Sequence, residues 1–295
     1  MMNIRNNESR IVSIVTLYNP KEKHIRNVQD IAKQSAKVIV CDNSIADNNK
    51  YFLQNDKCIY LHWGENYGLS KAFNIALSND AFNWDDEDII VFFDQDSVLP
   101  DNHIQKLLKE YKYLINCGAD VGAIGPVYFD SSTGKEEIPR FFQNVTPSVM
   151  KVDSIVTTSM MCQYKVIKKV GFWNSNIFLD MADWDICWRL IANGYKIYLT
   201  KSSILHHSVG EGVRKLGPFR LRIGKTFREY YETRDCTKLI FKNYVPRRYK
   251  LRFVAMLIFR PILRFLFLDN RITRCKWYLR GLLDAIRKRN GSIEI

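Results

Sequence analysis

The chain has no apolar run long enough to cross a bilayer. No window of about 18 uninterrupted apolar residues occurs, and the nearest approach, Phe253 to Leu268, is broken by Arg260, Pro261 and Arg264. A spanning helix is not expected. The amino-terminal MMNIRNNESR also lacks the apolar core of a secretory signal, so the expectation is a cytoplasmic protein. The seven cysteines, at 41, 58, 117, 162, 187, 236 and 275, include no C-x-x-C pair and no metal-finger spacing. An odd and scattered set reads as reduced thiols, which argues against a disulfide scaffold. There is no internal repeat and no low-complexity linker.

Acids are scarce at one end. From Gly212 onward there are 22 Lys/Arg against 6 Asp/Glu, so the whole chain is +13 although residues 1 to 211 are slightly acidic. A cationic, aromatic-rich tail on a near-neutral body points to an anionic surface, membrane or nucleic acid. At 295 residues, 46% hydrophobic and 25% charged, the composition is that of a globular protein with a full core.

What is present is an alternation. Apolar, β-branched runs recur at Ile11–Leu17, Val38–Cys41, Cys58–Leu61, Ile89–Phe93 and Val121–Val127. Helical segments lie between them at Lys21–Ser35, Leu69–Ser78 and Asn102–Ile115. Strand alternating with helix predicts α/β architecture with a mostly parallel sheet. Residues 131–148, with one Gly and two Pro, read as a loop able to cover a site. Helix returns at Asp183–Ala192, stopped by Asn193-Gly194, and the chain beyond Pro218 reads as helical, basic and aromatic.

The most informative stretch is IIVFFDQDS, Ile89 to Ser97. A buried strand that empties into Asp94 and Asp96 sets two carboxylates at the carboxyl edge of a sheet, where open α/β folds bind ligands. Mg²⁺ typically sits between such carboxylates and substrate phosphates. The first strand ends in Thr16, Tyr18 and Asn19, and the second delivers Asp42 and Asn43 to the same edge. A carboxylate there could accept the N3–H of a pyrimidine base, although Asp42-Asn43-Ser44 is equally turn chemistry.

Further along, Glu65 to Asn74 places Asn66 and Gly68 at the start of a helix, whose free N–H groups favour anions. Lys71 or Asn74 could reach ribose or diphosphate from it, and a solvated lysine is the other reading. A second acidic cluster, Asp180, Asp183 and Asp185, lies among Phe178, Met181, Trp184, Ile186 and Arg189. That setting is apolar enough to bury an acid and raise its pKa, as a general base requires, while helix capping is the alternative. His206-His207 follow close behind as possible metal ligands.

In order, LYNP, VIVCDNS, ENYGLSKAFNIAL, VFFDQDS, AIGPVY, VGFWNSNIFLDMADWDICWRL, LHHSVG and YYETRDC resemble the inverting family 2 glycosyltransferases of the GT-A fold. Within that family the chain is most similar to bacterial rhamnosyltransferases of O-antigen and polysaccharide synthesis. The resemblance covers residues 10 to 235. It implies that Asp42 binds the base, that Asp94, Asp96 and His207 hold Mg²⁺ or Mn²⁺, and that Asp183 is the general base. Thr16, Tyr18, Asn19, Asn66, Gly68, Lys71, Asn74 and Gln95 then line the nucleotide sugar, with Asp180, Trp184, Asp185 and Arg189 shaping the donor or acceptor site. The sequence departs from the family pattern at Ala182, Asp185, Ile186, Trp188 and the TTSMMC of Thr157–Cys162.

The implied partners are a nucleotide sugar, dTDP-rhamnose first and a UDP-sugar second, and a polyprenyl-diphosphate-linked saccharide acceptor, with no nucleic acid. A catalytic region 1–215 and a basic helical region 216–295 follow. In the latter, Arg252, Arg260 and Arg264 share an arc of about 120° on a helical wheel, which suits an interfacial helix on anionic lipid at the inner face of the cell membrane. Packing in a homodimer is the alternative for the same apolar residues. Two other classes fit less well: an aspartyl phosphatase needs its D-x-D on the first strand, and no nucleic-acid-binding motif accompanies the basic tail.

Overall fold

The computed structural model describes residues 9–79, 82–130, 134–207, 212–216 and 219–293. Its first half runs β1 (Ile11–Leu17), α1 (Glu22–Gln34), β2 (Lys37–Asp42), β3 (Cys58–His62), α2 (Gly68–Leu77), β4 (Ile89–Asp94), α3 (His103–Asn116) and β5 (Val121–Asp130). Four short strands follow, β6 (Lys135–Glu137), β7 (Gln143–Asn144), β8 (Val149–Val152) and β9 (Met160–Gln163). Then come α4 (Tyr164–Lys169), α5 (Ala182–Ala192), β10 (Lys196–His207) and a hairpin of β11 (Gly212–Leu216) and β12 (Phe219–Ile223). Helices α6 (Arg228–Ile240), α7 (Arg247–Phe267) and α8 (Arg271–Ile286) close the chain.

Ten strands form one sheet in the order β3-β2-β1-β4-β9-β5-β10-β8-β7, with β6 against β5. β1 to β4 pair in parallel, β9 is antiparallel to β4 and β5, and β10 is parallel to β5. The apolar runs behave as strands buried on both faces should. On β1, Val12 and Ile14 join a core with α2 and α5, whereas Val15 and Leu17 join the core under α1 and α3. Ile25, Val28 and Ile31 bring α1 onto that second face, each burial stabilising by roughly 1.5–3 kcal/mol.

Residues 131–133 lie outside the described residues, and the rest of the expected covering loop carries β6 and β7. Cys236, Leu239, Val245 and Phe253 of the carboxyl-terminal region enter the same core as α5. Charge reinforces this packing: Glu229 is clamped between Arg264 and Arg274, and Arg260 and Arg264 both reach Glu232.

That clamp corrects the expected orientation of α7. Arg260 and Arg264 face the protein, with Arg264 buried and its pKa lowered to about 10, first by desolvation and then by Arg274. The basic arc is drawn inward because Glu229 and Glu232 on α6 compensate two guanidinium groups there. The apolar residues on the other side of α7 are left outside.

Candidate active site

Register builds the site. Thr16 of β1 pairs with Asp94 of β4, and Leu17 pairs with Asp42 of β2, so both acids emerge at one sheet edge. The strand that returns beside β4 begins after a turn, Thr157-Thr158-Ser159, in which Ser159 adopts φ +60° and donates its N–H to the Phe92 carbonyl. Its three consecutive hydroxyls reach three elements. Thr157 donates to the Asp183 carboxylate, Thr158 donates to Asp94 Oδ2 at 2.6 Å, and Ser159 Oγ lies 2.9 Å from His103 Nε2. The other His103 nitrogen lies 2.7 Å from Ser203 Oγ, and burial holds this imidazole near pKa 4, neutral at ordinary pH.

Asp183 lies in the first turn of α5, behind an N-cap formed by Met181, and so does not serve as the cap. Enclosure by protein raises its pKa to about 7. Asp94 and Asp180 push in the same direction, and the Thr157 hydroxyl pulls against them. A carboxylate poised there can accept a proton near neutrality. Asp180 is instead gripped by Arg228 of α6, which neutralises it beside Asp183.

The remaining expected site residues fall into two groups. Near Asp94, Tyr18 donates its N–H to Gln95 Oε1 at 2.9 Å, and Asn19, at φ +46°, donates its own to Ser44 Oγ at 2.8 Å. Gly68 opens α2 at φ +75°, where a Cβ would sit 2.5 Å from the Phe178 carbonyl, so only glycine fits. Its N–H donates to Asn66 Oδ1, and that of Leu69 donates to the same Phe178 carbonyl, so these two amides have partners inside the protein. Lys71 sets its ammonium 3.3 Å from the centre of the Tyr67 ring, at the exposed end of a Trp63–Tyr67 stack.

The second group is committed to the scaffold. Asp42 is fully buried and accepts from the Ser44 N–H, Asn48 Nδ2 and Tyr60 hydroxyl at 2.7–2.9 Å. Those three bonds leave one acceptor position, but with Asp42 at 0% exposure its surroundings must open before a base could reach it. Asn74 pins the 173–175 turn with three hydrogen bonds. Asp185, fully buried, accepts from Arg189 Nε at 2.7 Å and from the Tyr244 hydroxyl, while Arg189 also caps the Val170 and Phe172 carbonyls. The side chain of His207 lies outside the described residues.

Asp94 is partly exposed and Asp96 exposed, and among the described residues no group of three His, Cys, Asp or Glu side chains converges to hold a metal. Two carboxylates at a strand end still fit Mg²⁺ or Mn²⁺, hard cations that take water and substrate phosphate oxygens for the rest of their shell.

Beside the acids opens a cleft of about 700 Å³, lined by Tyr128, Trp184, Tyr249, Arg140, Arg248 and Arg252 among others. Tyr128 joins cleft to site, since its hydroxyl donates to the Thr158 carbonyl. Trp184 stacks on Phe253 and under the Arg252 guanidinium, so it forms a rigid wall next to Asp183. The sequence alone did not single out Thr158, Tyr128, His103 or Arg228. Thr158 lay in the TTSMMC stretch and Tyr128 in AIGPVY, whereas His103 and Arg228 had no local signal.

Residues 13–169 match the model of Glycosyl transferase family 2. The chain is 26% identical over 297 residues to the dTDP-rhamnosyl transferase RfbF of Shigella flexneri, covering 96% of this chain and 97% of that protein. Among solved structures, S. aureus TarS 1-349 superposes with a TM-score of 0.56 at 12% identity, over 94% of this chain and 81% of that one. GalNAc-T7 with UDP, GalNAc and Mn²⁺ gives 0.55 at 10% identity, over 88% of this chain but only 58% of its own length. At such low identity these two establish a shared GT-A architecture and no more. With the matched segment spanning β1 to α4 and carrying Asp42, Asp94 and the Thr157–Ser159 turn, the chain belongs to glycosyl transferase family 2.

Proposed function

We propose that the protein moves a sugar, rhamnose from dTDP-rhamnose as first choice, onto a hydroxyl of a lipid-linked saccharide, with inversion at the anomeric carbon. The observation that carries this reading is Asp183, an acid raised to about 7 and joined through the Thr157-Thr158 turn to the diphosphate-side acid Asp94. Asp183 takes the proton of the acceptor hydroxyl, whose oxygen attacks from the face opposite the leaving diphosphate. The logic parallels inverting glycoside hydrolysis, with a sugar alcohol in place of water. Asp94 and Asp96 would hold Mg²⁺ or Mn²⁺, which when bound supplies Lewis-acid neutralisation of the departing diphosphate. Trp184 and Tyr249 give the cleft an aromatic wall, and Arg140, Arg248 and Arg252 suit an acceptor bearing phosphate.

The rhamnosyl assignment rests on likeness over nearly the full length of RfbF. A panel of dTDP- and UDP-sugars, assayed with Mg²⁺ and Mn²⁺ against a lipid-linked saccharide, tests it. Turnover of dTDP-rhamnose, with the product's anomeric configuration opposite to the donor's, is expected. Preference for a UDP-sugar removes the rhamnosyl assignment, and retention of configuration removes the single-displacement step.

A further inference from the structure

Helix α7 is built inside out. Its inner side carries Arg260 and Arg264, paired with Glu229 and Glu232, while Leu251, Val254, Ile258, Ile262, Phe265 and Leu266 lie outside, between 42% and 72% exposed. Their three- and four-residue spacing makes one continuous stripe, about 22 Å long at 1.5 Å per residue. Helix α8 adds Ile272, Leu279, Leu283 and Ile286, all exposed. An apolar face of this extent marks a surface that meets something.

We infer that this face docks on an anionic lipid surface, with α7 lying in the headgroup plane. Charge chooses between the candidate occupants. The region from Gly212 onward holds 22 Lys/Arg against 6 Asp/Glu, and exposed Arg252, Arg271, Lys276 and Arg280 lie on the two helices. A second copy would bring an equally cationic face against it, whereas anionic headgroups neutralise it. Lying on the membrane rather than crossing it is required, because no helix among the described residues is long and apolar enough to span. The first turns of α7 also give Arg248, Tyr249 and Arg252 to the cleft, so docking would bring that opening to the lipid surface.

This inference is independent of the transfer reaction. The test is flotation of the full chain with vesicles of phosphatidylcholine alone and of phosphatidylcholine with phosphatidylglycerol. Wild type should float with the anionic vesicles, at least about tenfold better than with neutral ones, and lose binding in high salt. Ile258→Glu with Ile262→Glu, and separately Leu251→Glu with Val254→Glu, should each cut anionic-vesicle binding about tenfold or more. Leu53→Glu, an exposed apolar site far along the chain from the tail, should not. The circular dichroism spectrum and thermal midpoint of both double variants should equal those of wild type, which certifies their fold. Vesicle binding unchanged in both double variants would overturn the proposal. So would a wild-type dimer that ignores vesicles and dissociates in either variant, since a second copy would then be the occupant.

Discussion

The Thr157 hydroxyl gives a handle on the proposed base, Asp183, that leaves the carboxylate itself in place. Thr157 is 3% exposed and its hydroxyl donates to Asp183, the larger of the two Thr157 hydrogen bonds, side-chain and backbone, that oppose burial in setting the acid's pKa. Valine has nearly the same shape and no donor. A hydrogen bond to a charged group contributes roughly 1.5–3 kcal/mol, and each pKa unit corresponds to about 1.36 kcal/mol. Because the bond favours the ionised form, Thr157→Val should raise the Asp183 pKa from about 7 by about 1–2 units. The acid limb of kcat/KM against pH should move up by that amount. At pH 7 the ionised fraction, and with it the rate, drops by about 5- to 50-fold, while at pH 9 to 10 the variant approaches wild type. A cation bound at Asp94 lowers the absolute limb in both proteins, so the comparison is made at one metal concentration. A limb that overlays wild type, or a rate loss equal at every pH, would refute the linkage between Thr157 and the base.

Other consequences follow from the same contacts. Ionising Asp183 in the folded state is costly, so stability falls as pH rises from the unfolded carboxylate range through about 7. Asp183→Asn should therefore raise the thermal midpoint more at pH 8 than at pH 5; an equal gain at both would contradict the raised pKa. For His103 the sign is reversed. Its folded pKa of about 4 lies below the ordinary imidazole value of 6.5, so its contribution is complete above that value and is lost as pH falls towards 4. His103→Gln should flatten the denaturation midpoint over that window, and an unchanged slope would remove the imidazole from the acid sensitivity. Glu229→Ala leaves Arg264 and Arg274 buried without their shared carboxylate, a loss of about 3–5 kcal/mol and a drop in melting temperature on the order of 10 °C. A shift under about 2 °C would show that the clamp contributes little.

Much of the sheet was legible because parallel strands buried on both faces write themselves as unbroken β-branched runs. Ile11–Leu17 is a strand with the expected bounds, and Asp94 ends its strand as the acid-x-acid pattern implied. Asp183 was legible too, since an acid amid Phe178, Met181 and Trp184 has little water around it. What the sequence hid were pairings between distant segments. Nothing local says that Asp185 belongs to Tyr244, or that Asn74 is held by Trp173 and Ser175. The orientation of α7 was hidden for the same reason. A wheel drawn on α7 alone turns its arginines to solvent, and only Glu229 and Glu232, a helix away, turn them in.

The most direct measurement of the central claim is single-turnover transfer by Asp183→Asn beside calorimetric binding of the donor nucleotide. If this carboxylate takes the acceptor's proton, transfer falls by about 10²- to 10⁴-fold with donor affinity within a few-fold of wild type. Transfer by the variant at close to the wild-type rate would contradict it.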